Sequence, residues 1–176
     1  MALERINNEL WFREELFSDV AQLIKVSRVL VRKKTKDLKG GSLQDLLILD
    51  TFRFGKVLVL DGIVQLTEAD EKYYHEPLVH CVLFSHPNPK SVLVVGGGDG
   101  GVLREVLKHP VKSIDLVDID KDVINLTKKY IPEIAGEFWN DSRLKVYIQD
   151  GAVFAKKTKK KFDIIIIDSP DPVGPA

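Results

Sequence analysis

From residue 71 onward, short apolar runs alternate with segments of helical pattern, and this alternation restricts the fold more than any other feature. Four runs rich in Val, Ile and Leu are interpreted as strands, and the amphipathic segments between them as helices. The alternation predicts an α/β fold, with a parallel sheet covered by helices on both faces. The predicted strands are 91–95, 114–117, 144–148 and 163–167, and the predicted helices are 73–84, 101–108, 121–130 and 151–158.

The first 70 residues have another pattern, in which apolar stretches are separated by glycine-containing turn signals. The stretches are 20–31, 46–49 and 56–60. They predict a small antiparallel β-hairpin or meander. We therefore expect two domains, an N-terminal β domain at 1–70 and an α/β domain at 71–176.

Composition excludes several classes of protein. Hydrophobic residues make up 44% and charged residues 30% of the chain, which is typical of a soluble globular protein, and no apolar run is long enough to span a membrane. The single cysteine, Cys81, rules out an internal disulfide and indicates a cytoplasmic protein. Basic and acidic residues balance at 26 each, so no nucleic-acid partner is expected, and the lysine-rich segment 156–161 is interpreted as a solvated helix end.

The first strand of the α/β part runs into a glycine-rich loop, VVGGGDGGVLRE. Gly96, Gly98 and Gly101 fit the G-x-G-x-x-G pattern of nucleotide-binding turns, where glycine lets the backbone approach a ligand closely. Asp99 lies inside the loop, and its carboxylate would repel a pyrophosphate or the carboxylate of S-adenosylmethionine. The loop therefore disfavours NAD and predicts a nucleoside ligand that carries positive charge, with a ligand-free turn as the alternative.

Acidic residues also follow the next two strands. Asp118 lies 20 residues beyond Gly98, the spacing at which an acid accepts hydrogen bonds from ribose hydroxyls in such folds. Asp120 is expected to cap the helix that begins at residue 121. Asp150 precedes Gly151 at another strand-to-helix turn, where it could accept from an adenine amino group or cap the helix, and the pattern leaves both roles open.

Two further acids, Asp168 and Asp171, follow the last apolar strand. Burying an unpaired carboxylate is costly, so they require a Lys or Arg of the chain, a proton or a cationic ligand. Because the carboxyl ends of parallel strands meet at one rim, we expect five acids around one pocket. They are Asp99, Asp118, Asp150, Asp168 and Asp171. No metal is expected, since magnesium would suit a phosphate ligand that Asp99 discourages.

In combination these motifs are specific for one family. The chain resembles spermidine synthases, the polyamine aminopropyltransferase family, over nearly its whole length. The resemblance is carried by WFREELF, LQDLLIL, VLVLDGIVQLTEADEKYYHE, HPNPKSVLVVGGGDGGVLREVLKHP, VDIDKDVI and DSPDPVGPA. It implies a Rossmann-like, methyltransferase-type catalytic domain that transfers an aminopropyl group from decarboxylated S-adenosylmethionine to putrescine. It also implies that there is no prosthetic group or metal, and that the protein is a homodimer or homotetramer.

The resemblance assigns roles to individual residues, two of which, Gln44 and His75, carry no signal of their own. Asp168 matches the proton acceptor, and Tyr74 matches a tyrosine beside the reacting amine. Contacts to the polyamine or the aminopropyl amine are implied for His75, Asp99, Asp168 and Asp171. Contacts to the sulfonium nucleoside are implied for Gln44, Asp99, Asp118, Asp150, Gly151 and Pro175.

Three departures from the family pattern stand out. Asp118 stands where the family often has Glu, and Pro170 replaces a small hydroxyl residue in the turn that holds Asp171. Complete members are longer, so we expect the chain to lack the C-terminal part of the catalytic domain and to expose apolar faces. Two alternatives stay open: a putrescine N-methyltransferase-like enzyme, and a catalytically incomplete chain that partners an active homologue.

Overall fold

An antiparallel sheet of six strands forms the N-terminal part of the protein, of which this computed structural model describes residues 2–169. Each strand pairs with its neighbour in sequence. The strands are β1 (Ala2–Ile6), β2 (Glu9–Phe17), β3 (Val20–Lys36), β4 (Ser42–Thr51), β5 (Gly55–Leu60) and β6 (Ile63–Thr67). The predicted antiparallel arrangement is confirmed, and β1, β2 and β6 are additional to the three strands recognised in the sequence.

Strand β4 is buried on both faces, which explains its uninterrupted Leu-Leu-Ile-Leu run. Leu47 and Leu49 point into a cluster inside the N-terminal sheet that includes Phe12. Leu46 and Ile48 point the other way, into a cluster that contains residues of the α/β part. Because side chains alternate along a strand, one continuous apolar run here serves two cores.

The parallel sheet follows, with four strands among the described residues. They are β7 (Ser91–Gly96), β8 (Ser113–Asp118), β9 (Leu144–Ile148) and β10 (Ile164–Asp168). Their order is β10-β7-β8-β9, so β7 has β8 on one side and β10 on the other. The rim beyond β7 and β10 is a topological switch point, where ligands bind in sheets of this kind.

Helices connect these strands and cover the sheet. They are α1 (Lys72–Ser85), α2 (Gly101–Leu107), α3 (Lys121–Tyr130), α4 (Pro132–Ala135) and α5 (Gly151–Lys157), with a 3-10 helix at Gly136–Asn140. The prediction of helix 121–130 and of strand 144–148 is confirmed to the residue, whereas α4 and the 3-10 helix were not recognised. No helix of residues 2–169 is long and apolar enough to cross a membrane.

Both faces of β7 are covered, as the apolar pattern predicts. Val92 and Val94 pack with residues of α1 and α2, and Leu93 packs with Phe154 of α5 on the opposite face. Strand β10 differs, because Ile165 and Ile167 are 57% and 65% exposed. The expectation that the last strand exposes apolar side chains agrees with these values, while the boundary between two domains near residue 70 stays a prediction.

Substitution of Ile48 tests how far the N-terminal sheet and helices α3 and α4 stabilise each other. Ile48 is fully buried in the cluster shared with Val123, Ile131 and Ile134. We expect Ile48→Ala to lower the free energy of unfolding by about 2–5 kcal/mol, because the cavity loses contacts from the N-terminal sheet and from the α3–α4 region. Urea unfolding followed by circular dichroism measures the change. Leu38→Ala, at a side chain 71% exposed, is the control, and an equal loss in both variants would contradict the shared core.

Candidate functional site

The glycine-rich loop between β7 and α2 brings the backbone against two of the predicted acids. Gly97, at φ 72°, lies in the left-handed region that favours glycine, and its N–H donates to the Asp168 carbonyl at 3.0 Å. A Cβ on Gly98 would lie 2.5 Å from a carboxylate oxygen of Asp118. Glycine is therefore needed where the loop passes between the ends of β8 and β10.

Asp99 is turned inward from this loop. Its Oδ1 accepts a hydrogen bond from the Gly101 N–H at 2.7 Å, which fixes the side chain at the start of α2. The same oxygen lies 3.6 Å from Nε2 of His75, whose side chain is 4% exposed. Asp99 and His75 come from different elements, and the helix packing of α1 against α2 brings them together.

Asp168 ends β10 directly beside the loop, paired in register with Gly96. Tyr74 donates its hydroxyl to Oδ1 at 2.9 Å, whereas Oδ2 is buried and has no hydrogen-bond partner among residues 2–169. Burial, and then the neighbouring charge of Asp99, raises the pKa of Asp168 to about 6, although the Tyr74 hydrogen bond opposes the shift. A carboxylate oxygen without a partner can accept a proton, or a hydrogen bond from a cationic group.

Asp118 ends β8 in a similar state. Its Oδ1 accepts from the Asp120 N–H at 2.7 Å. Burial raises the pKa of Asp118 to about 6, despite backbone hydrogen bonds from Asp120 and Gly98 that favour the ionised form. Two carboxyls at the same rim thus share a pKa well above the usual value for aspartate.

Gln44 and Asp150 reach the site from its two sides. Gln44 lies on β4 in the N-terminal sheet, and its amide donates to Asp120 Oδ2 at 2.8 Å. Asp120 caps α3, as predicted, by accepting from the backbone of Asp122 and Val123. Asp150 caps α5 through the Val153 N–H at 2.9 Å, so the capping role left open by the sequence is observed.

A cavity of about 620 Å³ joins these groups. It is lined by the predicted residues Gln44, Tyr74, His75, Asp99, Asp118, Asp150, Gly151 and Asp168. A neighbouring cavity of about 540 Å³ shares Tyr74 and His75 with it. Asp171 and Pro175 lie outside the described residues, as does Pro170. All the other predicted site residues line this one cavity.

The charge at this rim is not balanced by basic side chains. Within residues 2–169, no lysine or arginine forms an ion pair with Asp99, Asp118, Asp150 or Asp168, and the basic side chain nearest to Asp99 is the imidazole of His75. Elsewhere, buried Glu71, Glu105 and Asp115 are each paired with arginine or lysine. The alternative that the chain neutralises its own rim acids is therefore not observed in the described part.

Three of these side chains converge closely enough to hold a cation. One ligand atom each from His75, Asp99 and Asp168 lies within 4.8 Å of the other two. Carboxylates and an imidazole in this arrangement suit either a metal ion or the N–H groups of an ammonium. The cavity can therefore receive a positively charged group at one end and a nucleoside-sized body at the other.

Two residues behind the cavity were missed in the sequence. Glu71 accepts from Arg104 at 2.9 and 2.8 Å and lies 2.7 Å from Nδ1 of His75. The (i, i+4) spacing of Glu71 and His75 could have indicated a contact on one helix face. The partnership with Arg104, 33 residues away, depends on how α1 packs against α2 and has no local signal.

Comparison with known proteins agrees with this geometry. The family model for the spermine/spermidine synthase domain matches residues 71–176, and the model for the spermidine synthase tetramerisation domain matches residues 10–68. The chain belongs to the spermine/spermidine synthase family.

Relatives within this family cover the chain almost completely. A polyamine aminopropyltransferase of Clostridium tetani is 49% identical over 96% of the chain and 58% of its own length, and one of Methanocaldococcus jannaschii is 46% identical over 95% and 55%. The chain thus spans somewhat more than half the length of these family members.

Solved structures of the family have the same fold. A spermidine synthase crystallised with the transition-state analogue AdoDATO superposes with a TM-score of 0.86 at 40% identity, covering 98% of the chain and 57% of that structure. Spermidine synthase of Thermotoga maritima gives 0.85 at 39% identity, covering 96% and 57%. The methyltransferase-like parallel sheet and the antiparallel N-terminal sheet are therefore both confirmed as family features.

The raised pKa of Asp118 predicts a stability cost at neutral pH. The folded protein holds a proton on this carboxyl up to about pH 6, whereas the unfolded chain releases it near pH 4, so ionisation opposes folding as pH rises between these values. Asp118→Asn keeps the acceptor for the Asp120 N–H and removes the charge. We expect the variant to gain about 1–3 kcal/mol in the free energy of unfolding at pH 8.

Urea titrations at pH 8, 5 and 4 measure this dependence. The gain should shrink by pH 5 and be nearly absent at pH 4, because the folded wild-type carboxyl is then protonated. Asp19→Asn, in an exposed turn, is the matched control and should change little at any pH. A gain that grows as the pH falls would contradict the prediction.

Proposed function

We propose that the protein containing this chain transfers an aminopropyl group from decarboxylated S-adenosylmethionine to putrescine, giving spermidine and methylthioadenosine. The observation that carries the proposal is the rim of partly buried acids, among them the enclosed Oδ2 of Asp168, that no lysine or arginine of the described residues neutralises. Both proposed ligands are cations: the first carries a sulfonium and an ammonium, and putrescine carries two ammonium groups. Their charges supply what the rim lacks.

The nucleoside end of the ligand is assigned to one side of the cavity. Asp118, at the end of β8, is proposed to accept from the ribose hydroxyls, and Asp150 from the adenine amino group while it continues to cap α5. Gly151 allows close approach, and Gln44 contributes from the N-terminal sheet. Pro175 is assigned to the same ligand by family resemblance alone.

The cationic end is assigned to Asp99, His75 and Asp168, with Asp171 included by resemblance. The carboxylate of intact S-adenosylmethionine would meet Asp99 in the loop and be repelled, whereas the decarboxylated form offers an ammonium group there. Family proteins are described as aminopropyltransferases, which agrees with this preference. A putrescine N-methyltransferase uses intact S-adenosylmethionine, so its pocket would have to accommodate the carboxylate of that ligand beside the glycine-rich loop.

The reaction is a displacement at the carbon attached to sulfur. The nitrogen of putrescine forms a bond to that carbon, the carbon–sulfur bond breaks, and its electron pair stays on sulfur as a neutral thioether. The attacking amine must first lose a proton, and an alkylamine has a pKa of about 10. We assign Asp168 as the acceptor, because a carboxyl with a pKa of about 6 is a stronger base than an ordinary aspartate.

Tyr74 positions this carboxylate. Its hydroxyl occupies Oδ1, which leaves Oδ2 as the oxygen available to the amine. The attacking amine and the orienting tyrosine are thus each assigned one oxygen of the Asp168 carboxylate. We assign no prosthetic group and no metal to the reaction, and the cation between His75, Asp99 and Asp168 is proposed to be an ammonium group.

Assembly and location follow from the family and the composition. We propose self-association as a dimer or tetramer through the N-terminal sheet, supported by the match of residues 10–68 to a tetramerisation domain. Neither nucleic acid nor a membrane is proposed as a partner. A cytoplasmic location remains an expectation based on the single cysteine.

Asp168→Asn tests the proposed base. We expect methylthioadenosine release from putrescine and decarboxylated S-adenosylmethionine to fall at least a hundredfold, because Asn cannot take the proton. For the wild type, kcat/KM should rise through about pH 6 as the carboxyl ionises. Liquid chromatography of the released nucleoside measures both quantities.

Asp19→Asn is the matched control for this assay and should keep the wild-type rate. An unchanged rate in Asp168→Asn would remove its assigned role. Activity that is abolished by a chelator and restored by a divalent metal would favour a metal at His75, Asp99 and Asp168 instead. A wild-type protein without any methylthioadenosine release would favour a catalytically incomplete chain.

Asp99→Asn tests the selection against carboxylate. Removing the charge should weaken binding of decarboxylated S-adenosylmethionine and relieve the repulsion of the intact form. The dissociation constant of the intact form, divided by that of the decarboxylated form, should therefore fall at least tenfold. Isothermal titration calorimetry with both ligands measures this ratio. A wild type that binds intact S-adenosylmethionine more tightly would contradict the aminopropyltransferase assignment and favour a methyltransferase.

A further inference from the structure

Behind the cavity, Glu71 is held as an ionised acceptor. Its side chain is 2% exposed, and the two terminal nitrogens of Arg104 donate to its two oxygens at 2.9 and 2.8 Å. Burial favours the neutral form, but the hydrogen bonds from Arg104 and His75 outweigh it and hold the pKa of Glu71 below its usual value. At neutral pH this carboxylate has only acceptor oxygens.

This carboxylate determines which nitrogen of His75 carries hydrogen. Nδ1 lies 2.7 Å from Oε2 of Glu71, and a hydrogen bond between them requires a proton on Nδ1. In the neutral ring Nε2 then carries no hydrogen, so it is the nitrogen that can accept a hydrogen bond. Nε2 faces Asp99 at 3.6 Å, and His75 lines both cavities of the site.

Packing prevents the ring from exchanging its two nitrogens. The imidazole lies against the backbone of Gly101, where any Cβ would overlap the ring, and it meets the ring of Tyr74 edge-on at a centroid distance of 5.3 Å. The His75 side chain is 4% exposed. Its orientation is thus set by the Glu71 hydrogen bond and the close approach of α2.

Arg104 and Lys108 balance the charges of Glu71 and Glu105 without a contribution from His75. The Nε of Arg104 donates to Glu105 at 2.7 Å, and Lys108 binds the other oxygen of Glu105. Two carboxylates, Glu71 and Glu105, therefore face two basic side chains, and the Arg104 guanidinium stays charged in proteins. With Glu71 compensated in this way, the ring can stay neutral while it donates to Glu71.

We propose that Glu71 and Arg104 are positioning residues that hold His75 as its Nδ1–H tautomer, so that the bare Nε2 accepts a hydrogen bond from a substrate ammonium beside Asp99. The identity of the ammonium rests on the proposed function, whereas the tautomer does not. The opposite tautomer would direct an N–H at the ammonium, and two donors would then face each other. Glu71 and Arg104 thereby add, through His75, to the preference for a cation that the rim acids give the pocket.

Glu71→Gln inverts this arrangement with almost no change of shape. With the amide oxygen in the place of Oε1, Arg104 still donates to it through Nη1. The amide N–H₂ in the place of Oε2 then donates to Nδ1 of His75, and Arg104 Nη2 loses the acceptor that it shared with the ring. The proton of the neutral ring then moves to Nε2. We expect binding of decarboxylated S-adenosylmethionine to weaken ten- to a hundredfold, the range for a lost hydrogen bond to a charged group.

The tautomer can be read without any ligand. The chain has four histidines, so two-bond ¹H–¹⁵N spectra of protein labelled at histidine nitrogen are simple, and substitution of the other three assigns His75. Above pH 8 we expect the Nδ1–H pattern for His75 in the wild type and the Nε2–H pattern in Glu71→Gln. Glu76→Gln, at an exposed position of the same helix, is the control and should show the wild-type pattern and wild-type affinity.

An Nε2–H pattern for His75 in the wild type would overturn the proposal, even if Glu71→Gln does not fold. The same tautomer in both proteins, or a shifted tautomer with unchanged affinity, would also overturn it. A wild type that shows the Nδ1–H pattern but does not bind decarboxylated S-adenosylmethionine would contradict the proposed function and leave the positioning of His75 by Glu71 and Arg104 intact.

Discussion

Partly buried carboxylates without a basic partner are the constraint on which the site depends. Asp118 and Asp168 carry raised pKa values because burial removes water and the described chain supplies no lysine or arginine in its place. Asp115, only a few residues from Asp118, is by contrast paired with Lys160. The protein therefore neutralises a buried acid next to the site and leaves the rim acids unneutralised, which costs stability and favours a cationic ligand.

The parallel sheet makes this concentration of charge possible. Strand ends that are far apart in sequence meet at one rim, and the glycine loop passes between β8 and β10 closely enough to touch both terminal acids. A side chain on Gly98 would displace Asp118 from this position. The acidic rim and the glycine loop are thus one feature, since the loop admits the acids as well as a ligand.

Sequence reasoning succeeds where the signal is local. The apolar strands, the cap at Asp120 and the position of Asp168 all follow from neighbouring residues, and their prediction is confirmed. Strand β2 was missed because charged residues interrupt its apolar ones and the burial does not follow polarity: Glu14 is buried, whereas Leu16 and Phe17 are exposed. Gln44 and His75 gave no signal, because their places depend on packing between distant segments, and only family resemblance pointed to them. Their assigned roles stay predictions.

The N-terminal sheet contributes to the site, in addition to its proposed role in assembly. Strand β4 buries Leu46 and Ile48 against α3 and α4, and the same strand carries Gln44 to the cap of α3 at Asp120. Asp120 in turn donates its N–H to Asp118, the proposed ribose contact. A chain of short hydrogen bonds therefore links the N-terminal sheet to the rim acids. Because Gln44 is neutral, it holds Asp120 in place without adding a positive charge to the rim. A lysine at this position would reach the same acid and reduce the negative charge that favours a cationic ligand.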